Sequence, residues 1–335
     1  MLFMVTNRRI IDGQYSDEER PAYKYEYLYD YDAKPADQDG FIKKGQKGFE
    51  TALLQELVRL RDEEGVSTPK VGLFVHGYNT TFQESIDQIV DLEKSLKAEI
   101  GYAPVIVGFS WPSSGKVANY LSDREEVRDT VPAFTRFLLD INNLLTNNER
   151  ECFSTTYCIT HSMGNYLLRK GMEYLSDALG SPMGRMMFAE TLMIAPDLAS
   201  SDMELGGKGQ YIMQFSRRVH VYYSKFDRAL KASSTKRFGG NRLGRHGAND
   251  YANLPRNLIC VDVKNFANST SLEGLKDRRG GDVSVHSACR YHPSILQDMI
   301  QVMASHDRQQ IPGREPIPYE EGLHDFGNHF QLVDA

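Results

Sequence analysis

The chain has 335 residues, of which 41% are hydrophobic and 25% are charged, and its net charge at pH 7 is −6. This composition is typical of a globular protein, and the acidic balance argues against bulk nucleic-acid binding. No window approaches the roughly 18 to 20 apolar residues that a membrane helix needs, and the first residues lack the apolar core of a signal peptide. We therefore predict no integral membrane segment.

Apolar periodicity predicts strands that alternate with helices along most of the chain. Predicted strands cover residues 2–6, 71–75, 105–109, 155–160, 191–194, 219–224 and 258–263. Predicted helices cover residues 49–60, 82–96, 122–145 and 293–303, and a further helix follows Ser162. The tyrosine-rich stretch 23–31 is expected to form an irregular edge or an added strand. This rhythm implies right-handed crossovers and a mainly parallel sheet with helices on both faces.

The elements group into one central domain, over residues 67–304, with an insertion at about 228–257. Residues 1–66 are predicted to form an N-terminal extension packed on the core. Residues 305–335 form a polar, proline-bearing tail, which we expect either to wrap around the domain or to be mobile.

The four cysteines show no spacing typical of a metal site; they are Cys152, Cys158, Cys260 and Cys289. Cys158 and Cys260 fall inside predicted buried strands, and we interpret them as reduced thiols of a cytoplasmic protein. The sequence predicts neither a metal nor an organic cofactor.

A short motif, Thr160-His161-Ser162-Met163-Gly164, joins a predicted strand directly to a predicted helix. A serine at such a turn is held in a strained backbone conformation that exposes its hydroxyl at the sheet edge. Gly164 meets the need for a small residue where strand and helix nearly touch, whereas Thr160 stands where a glycine is usual. We predict that Ser162 is a nucleophile; the alternative is a serine in an ordinary helix-start turn.

Residues whose side chains or turns could contribute to an active site follow most of the other predicted strands. They are His76-Gly77, Ser110-Trp111, Asp197, Asp227 and His286. In a parallel sheet the carboxyl ends of the strands share one edge, where sites form. We therefore expect these residues to converge around Ser162.

The order serine, acid, histidine, with an early His-Gly turn, resembles that of the α/β-hydrolase superfamily. More narrowly, the chain resembles an uncharacterised branch of it, a domain of unknown function, in the segments TNR, FVHGYNTTF, FSWPSSG, THSMGN, IAPD and YYSKFDRAL. The resemblance covers roughly residues 71–300. It implies an α/β-hydrolase fold and a serine-hydrolase site, and it implies no substrate.

For the general base we prefer His286, on the loop between the last predicted strand and the last helix. His292 is the alternative, although its place before Pro293 is typical of a helix start. For the orienting acid we prefer Asp227, whose context matches the family's acid position better than that of Asp197. Both alternatives stay open at this point.

Backbone amides of Met163 and Tyr78 are predicted to form an oxyanion hole, with His76 in a structural role. The alternative is that His76 to Asn79 form only a tight turn. Among candidate substrate-binding residues, Asn79 is expected to orient that loop. Trp111 and His161 are each interpreted as either packing or pocket wall.

Between residues 228 and 247 the chain carries six cationic side chains and no acid: Arg228, Lys231, Lys236, Arg237, Arg242 and Arg245. This stretch either attracts an anionic substrate or is a solvated loop. The resulting hypothesis is a serine esterase that acts on a small-molecule ester or acyl substrate through an acyl-enzyme. The alternatives are a lipase or phospholipase, a thioesterase on an anionic substrate, and a binding protein on the same fold.

Overall fold

The computed structural model describes residues 1–31, 40–113, 120–147, 156–179, 186–236, 240–318 and 327–334. Within these ranges the strands are β1 (Leu2–Thr6), β2 (Arg8–Ile11), β3 (Gln14–Glu19), β4 (Glu26–Asp30), β5 (Val71–Val75), β6 (Val105–Ser110), β7 (Tyr157–His161), β8 (Phe188–Ile194), β9 (Ser216–Tyr223), β10 (Leu258–Asp262), β11 (Arg314–Pro316) and β12 (His329–Leu332). The helices are α1 (Gly45–Asp62), α2 (Phe82–Ile100), α3 (Tyr120–Asn147), α4 (Gly164–Leu179), α5 (Gln210–Phe215), α6 (Arg228–Lys236), α7 (Leu243–His246) and α8 (Pro293–Met303).

Ten of these strands form one mixed sheet in the order β11-β12-β10-β9-β8-β7-β5-β6-β1-β4. The pairs from β1 through β6, β5, β7, β8, β9 and β10 to β12 are parallel, whereas the outer strands β4 and β11 pair antiparallel. The predicted mainly parallel sheet is thus confirmed, and the carboxyl ends of β5 to β10 lie along one edge.

Both faces of the sheet are buried. Successive strand residues point to opposite sides, and residues of both sets belong to core clusters. In β1, Phe3 and Val5 belong to one core cluster, which also takes in apolar residues of α1, α3, α4 and α5. Leu2 and Met4 belong to the second cluster, with apolar residues of α2 and α8. Helices therefore cover the sheet on both faces, as the alternating pattern predicts.

Local signals place several helix ends. Helix α2 begins after Thr81, which forms a reciprocal capping box with Glu84, and it ends at Gly101, whose φ is +88°. Helix α8 covers Pro293–Met303, as predicted, because proline is favoured in the first helical turn.

Both segments that flank the predicted domain contribute strands to the main sheet. The N-terminal segment supplies β1 and β4, and the C-terminal segment supplies β11 and β12. Sequence patterns did not predict β11 or β12, since each has four residues or fewer. They also did not predict the separate β2–β3 hairpin, because β3 is a polar stretch, QYSDEE.

In the described part of the chain, no helix combines the length and the apolar character that a membrane span requires. Over the same residues, His, Cys, Asp and Glu side chains form no group of three or more that would hold a metal ion. Cys158, Cys260 and Cys289 are buried free thiols, whereas Cys152 lies outside the described residues.

Candidate functional site

Ser162 lies in a strained turn between β7 and α4. Its φ is +52°, a left-handed conformation that is uncommon for residues other than glycine, and its N–H donates to the Ile194 oxygen at 3.0 Å. A Cβ atom at Gly164 would lie 2.6 Å from the backbone oxygens of Val75 and His76. The turn therefore has the tight geometry expected from the motif, and only glycine fits two residues after the serine.

Thr160, which replaces the usual glycine, stabilises this turn through Asn165. The Thr160 hydroxyl donates to Asn165 Oδ1 at 2.6 Å. The Asn165 amide in turn donates to the backbone oxygens of Thr160 and Ser162, both at 3.1 Å. Because these groups are fully buried, their mutual hydrogen bonds remove the cost of burying polar atoms. Thr160, which departs from the common motif, is thus accommodated because Asn165 satisfies its hydrogen bonds.

Asp227 and His286 are brought together by the loops after β9 and β10. Asp227 Oδ2 lies 2.6 Å from His286 Nδ1, and Asp227 is 1% exposed. A carboxylate accepts hydrogen bonds, so His286 donates to it through the N–H on Nδ1. The other carboxylate oxygen accepts from the Leu230 N–H at 3.0 Å and so caps the first turn of α6.

The two alternative residues make different contacts. Asp197 Oδ1 accepts from the Ser233 hydroxyl at 2.7 Å, and it lies 3.7 Å from Arg242 Nε. His292 precedes α8 as its N-cap residue, and its ring packs 4.9 Å from that of Phe266. Between the candidates, the carboxylate that contacts His286 is therefore that of Asp227.

His161 links the Ser162 turn to the loop that carries His286. Its Nε2 donates to the backbone oxygen of His286 at 2.8 Å, and the two imidazole rings lie 4.7 Å apart. Burial, together with the neighbouring His286 and Arg290, lowers the pKa of His161 well below its usual value. The buried ring supports the packing interpretation of His161, and its assignment to substrate binding stays a prediction.

Trp111 is fully buried, which supports its packing interpretation, and its assignment to substrate binding stays a prediction. Its indole N–H donates to the His76 oxygen at 2.9 Å, and the two rings stack at 5.2 Å. The Trp111 backbone N–H donates to His76 Nε2 at 3.1 Å, so the His76 proton lies on Nδ1, which donates to the Gly77 oxygen at 2.7 Å. Burial lowers the pKa of His76 to about 3. His76 is therefore neutral and structural.

The loop that carries Tyr78 and Asn79 runs directly against the Ser162 turn. A Cβ atom at Gly77 would lie 2.9 Å from the Cβ of Ser162, so glycine permits this approach. Tyr78 and Asn79 are half-buried, and Met163 is buried directly after Ser162. The assignments of the Tyr78 and Met163 amides to an oxyanion hole, and of Asn79 to substrate binding, stay predictions.

Arg8 makes hydrogen bonds that connect the segments around this site, although the sequence pattern did not assign it a role. The residue is 1% exposed. Its guanidinium donates to the Thr80 oxygen at 2.6 Å and to the Ser110 hydroxyl at 3.0 Å. It thereby ties the loop after β5 to the last residue of β6. The signal that pointed to it was the TNR segment of the family resemblance, in which Arg8 is the third residue.

The basic stretch 228–247 does not act as one surface. Arg245 donates to the Asp227 backbone oxygen at 2.7 Å, and the guanidinium of Arg242 is buried near Asp197. Arg228 lines a cleft. Arg237 and the side chain of Lys236 lie outside the described residues. Of the two interpretations of this stretch, an anion-attracting surface and a solvated loop, neither describes Arg242, which is buried, or Arg245, which is bonded to the Asp227 backbone.

A mainly parallel sheet with a strained serine turn after a central strand is the architecture of the α/β hydrolases. A family model described as "Alpha/beta hydrolase of unknown function (DUF900)" matches residues 53–283, which is well over half of the chain. The chain belongs to this family.

Similar proteins add partial matches. An uncharacterized protein of Nostoc sp., alr1448, is 30% identical over an alignment of 183 residues, with coverage of 47% of this chain and 45% of that protein. Among solved structures, Aspergillus fumigatus lipase B is 13% identical with a TM-score of 0.34, over 73% of this chain and 54% of the lipase. Phospholipase PlaB from Legionella pneumophila is 15% identical with a TM-score of 0.29, over 63% of this chain and 43% of PlaB. The chain thus matches only about half the length of these proteins.

Proposed function

We propose that the protein is a serine hydrolase that cleaves a carboxylic ester of a small molecule through a Ser162–His286–Asp227 triad. The observation that carries the proposal is the 2.6 Å hydrogen bond between Asp227 and His286, on the loops that follow two parallel strands. Two further observations support placing Ser162 at the same sheet edge. Its φ is positive, and its neighbour His161 donates a hydrogen bond to the backbone of His286. Membership in an α/β-hydrolase family supports the reaction class.

In the first half-reaction the Ser162 Oγ attacks the ester carbonyl carbon while its proton passes to His286 Nε2. Asp227 holds the ring through Nδ1 and stabilises the imidazolium that forms. The oxyanion accepts hydrogen bonds from the backbone amides of Met163 and Tyr78. The carbon–oxygen bond to the leaving group then breaks, and His286 returns its proton to the departing alkoxide.

In the second half-reaction water attacks the acyl-enzyme, and its proton passes to His286. The bond between the acyl carbon and Ser162 breaks, the serine regains the proton, and a carboxylic acid leaves. An ester is the preferred substrate class because an alkoxide leaves more easily than an amine. Lipids and thioesters would follow the same steps, and a panel of esters and thioesters of increasing chain length separates them.

The experiment that tests the proposal is labelling with a fluorophosphonate probe, which reacts with an activated serine. The wild-type protein should be labelled, and Ser162→Ala should lose both the label and about 10⁴-fold or more in turnover. Ser67→Ala is the matched control, because Ser67 is an exposed serine that precedes β5 at the opposite sheet edge. Full labelling of Ser162→Ala would remove this serine from the mechanism, and an unlabelled wild type would favour a binding protein on the same fold.

A further inference from the structure

A cleft of about 1030 Å³ lies beside the proposed base, with His286 in its wall. Its volume is at the upper end of the range for small-molecule sites. One wall comes from Lys225 to Ala229, the turn that carries Asp227, and the other comes from the loop between β10 and His286. The cleft is therefore bounded by the two loops that supply the acid and the base.

Two exposed cations stand at the wall next to the acid. Lys225 and Arg228 line the cleft and flank Asp227 in sequence. Each Cα atom is therefore at most about 7 Å from that of Asp227, measured along an extended chain. Because Asp227 contacts His286, the Cα atoms of both cationic residues lie close to the proposed acid and base. A third cation, Lys264, lines the cleft and lies 3.2 Å from Asp262.

The start of α6 lies at the same wall and is capped by Asp227. Arg228 and Ala229 line the cleft and begin the helix, where backbone N–H groups have no partner within the helix. Asp227 Oδ1 accepts from the Leu230 N–H, so this carboxylate already serves the helix start. The charge that favours an anionic ligand at this wall is therefore that of the two exposed cations, Lys225 and Arg228.

The opposite wall supplies neutral hydrogen-bonding groups and two carboxylates. Ser269 and Thr270 line this wall with hydroxyl groups that suit an oxyanion, whereas the Asn268 amide is used by the backbone oxygens of Lys264 and Asn265. Asp282 is bonded to Lys276 and Lys264 is paired with Asp262, which leaves one lining carboxylate, that of Glu273, against the two cations Lys225 and Arg228. The cleft is thus locally basic in a protein whose net charge is −6.

From these contacts we infer that the cleft binds a carboxylate or phosphate group carried by the substrate, so that the enzyme prefers anionic esters. The inference rests on the proposed esterase function, and it names the substrate class for that site. Lys225 and Arg228 are the residues that would recognise the charge, while the ester carbonyl lies toward Ser162 beyond His286.

The test compares two esters with the same leaving group, 4-nitrophenyl butyrate and the mono-4-nitrophenyl ester of glutarate, which adds a terminal carboxylate. Wild type should show the higher kcat/KM on the glutarate ester, and added salt should reduce this preference. The double variant Lys225→Gln, Arg228→Gln should lose about tenfold on the glutarate ester and little on the butyrate ester. Lys208→Gln is the control, since it removes an exposed cation outside the cleft.

Binding to Ser162→Ala provides a readout without turnover. Glutarate or inorganic phosphate should bind this variant by calorimetry, and the Lys225→Gln, Arg228→Gln changes should abolish binding; the tighter of the two anions identifies the group that is recognised. Equal kcat/KM for both esters in wild type, with Ser162 still labelled by the fluorophosphonate, would overturn the inference and leave the proposed function intact. Failure to label Ser162 or to cleave either ester would instead overturn the proposed function, and anion binding to Ser162→Ala would still support the cleft assignment.

Discussion

His161 donates a hydrogen bond to the backbone of His286, although 125 residues separate them in sequence. The residue before the nucleophile therefore fixes the main chain of the proposed base, and it is buried in doing so. Such a contact positions the imidazole without touching the substrate. Proper positioning is a large part of catalysis, because small displacements of a base reduce the rate.

We therefore predict that His161→Phe lowers kcat by about tenfold, because the His286 loop loses its hydrogen bond. His161→Gln keeps a side-chain N–H and should recover part of the rate. The measurement is kcat for both variants across pH, together with the melting temperature. Equal rates for Phe, Gln and wild type at unchanged stability would show that the contact is dispensable.

Asp227 has two roles that substitution can separate. An Asn side chain caps a helix as well as Asp does, but its amide cannot hold the His286 proton on Nδ1. Asp227→Asn should therefore lose about 10³- to 10⁴-fold in kcat with nearly unchanged stability. Asp227→Ala should lose the same activity and, in addition, about 1 kcal/mol of unfolding free energy from the α6 cap. Chemical denaturation and ester hydrolysis measure the two effects, and retained activity in Asp227→Asn would exclude this carboxylate as the orienting acid.

Gly164 should tolerate no side chain. A Cβ atom there would meet two backbone oxygens at 2.6 Å, and backbone cannot move aside as a flexible side chain does. Gly164→Ala is expected to cost about 1–3 kcal/mol of stability and to abolish fluorophosphonate labelling. The control is Asp177→Ala, an exposed position on the same helix. A stable, fully labelled Gly164→Ala protein would contradict the close packing at this turn.

Glu93 makes the stability depend on pH. Burial raises the pKa of its carboxyl group from 4.5 to about 8, so the folded protein holds a proton that the unfolded chain has lost above pH 4.5. The contribution to stability is fully present below pH 4.5 and falls as pH rises to about 8. Glu93→Gln stays neutral, so its unfolding free energy should lack this decline and exceed that of wild type near pH 8 by a few kcal/mol, to order of magnitude. Urea denaturation between pH 5 and 9 checks this, and parallel curves for both proteins would contradict it.

Local patterns were sufficient for most of the sheet and helices. Continuous apolar runs predicted β5 and β6, and Pro293 marked the start of α8 at the residue where the helix begins. Short or polar strands were missed, because β11 and β12 have four residues or fewer and β3 is polar, so none of them shows a clear apolar pattern. The role of Arg8 was missed because its partners Thr80 and Ser110 lie 72 and 102 residues away along the chain.

The sequence by itself determined the strand–turn–helix at Ser162, the small residue at Gly164 and the rhythm of a parallel sheet, since each depends on neighbours within a few positions. It left Asp227 and Asp197, and His286 and His292, as alternatives. Only the tertiary structure decided which carboxylate meets which imidazole, where Trp111 is buried, and which cations line a cleft. These outcomes depend on how distant loops pack above one sheet edge, and local periodicity carries no information about that packing.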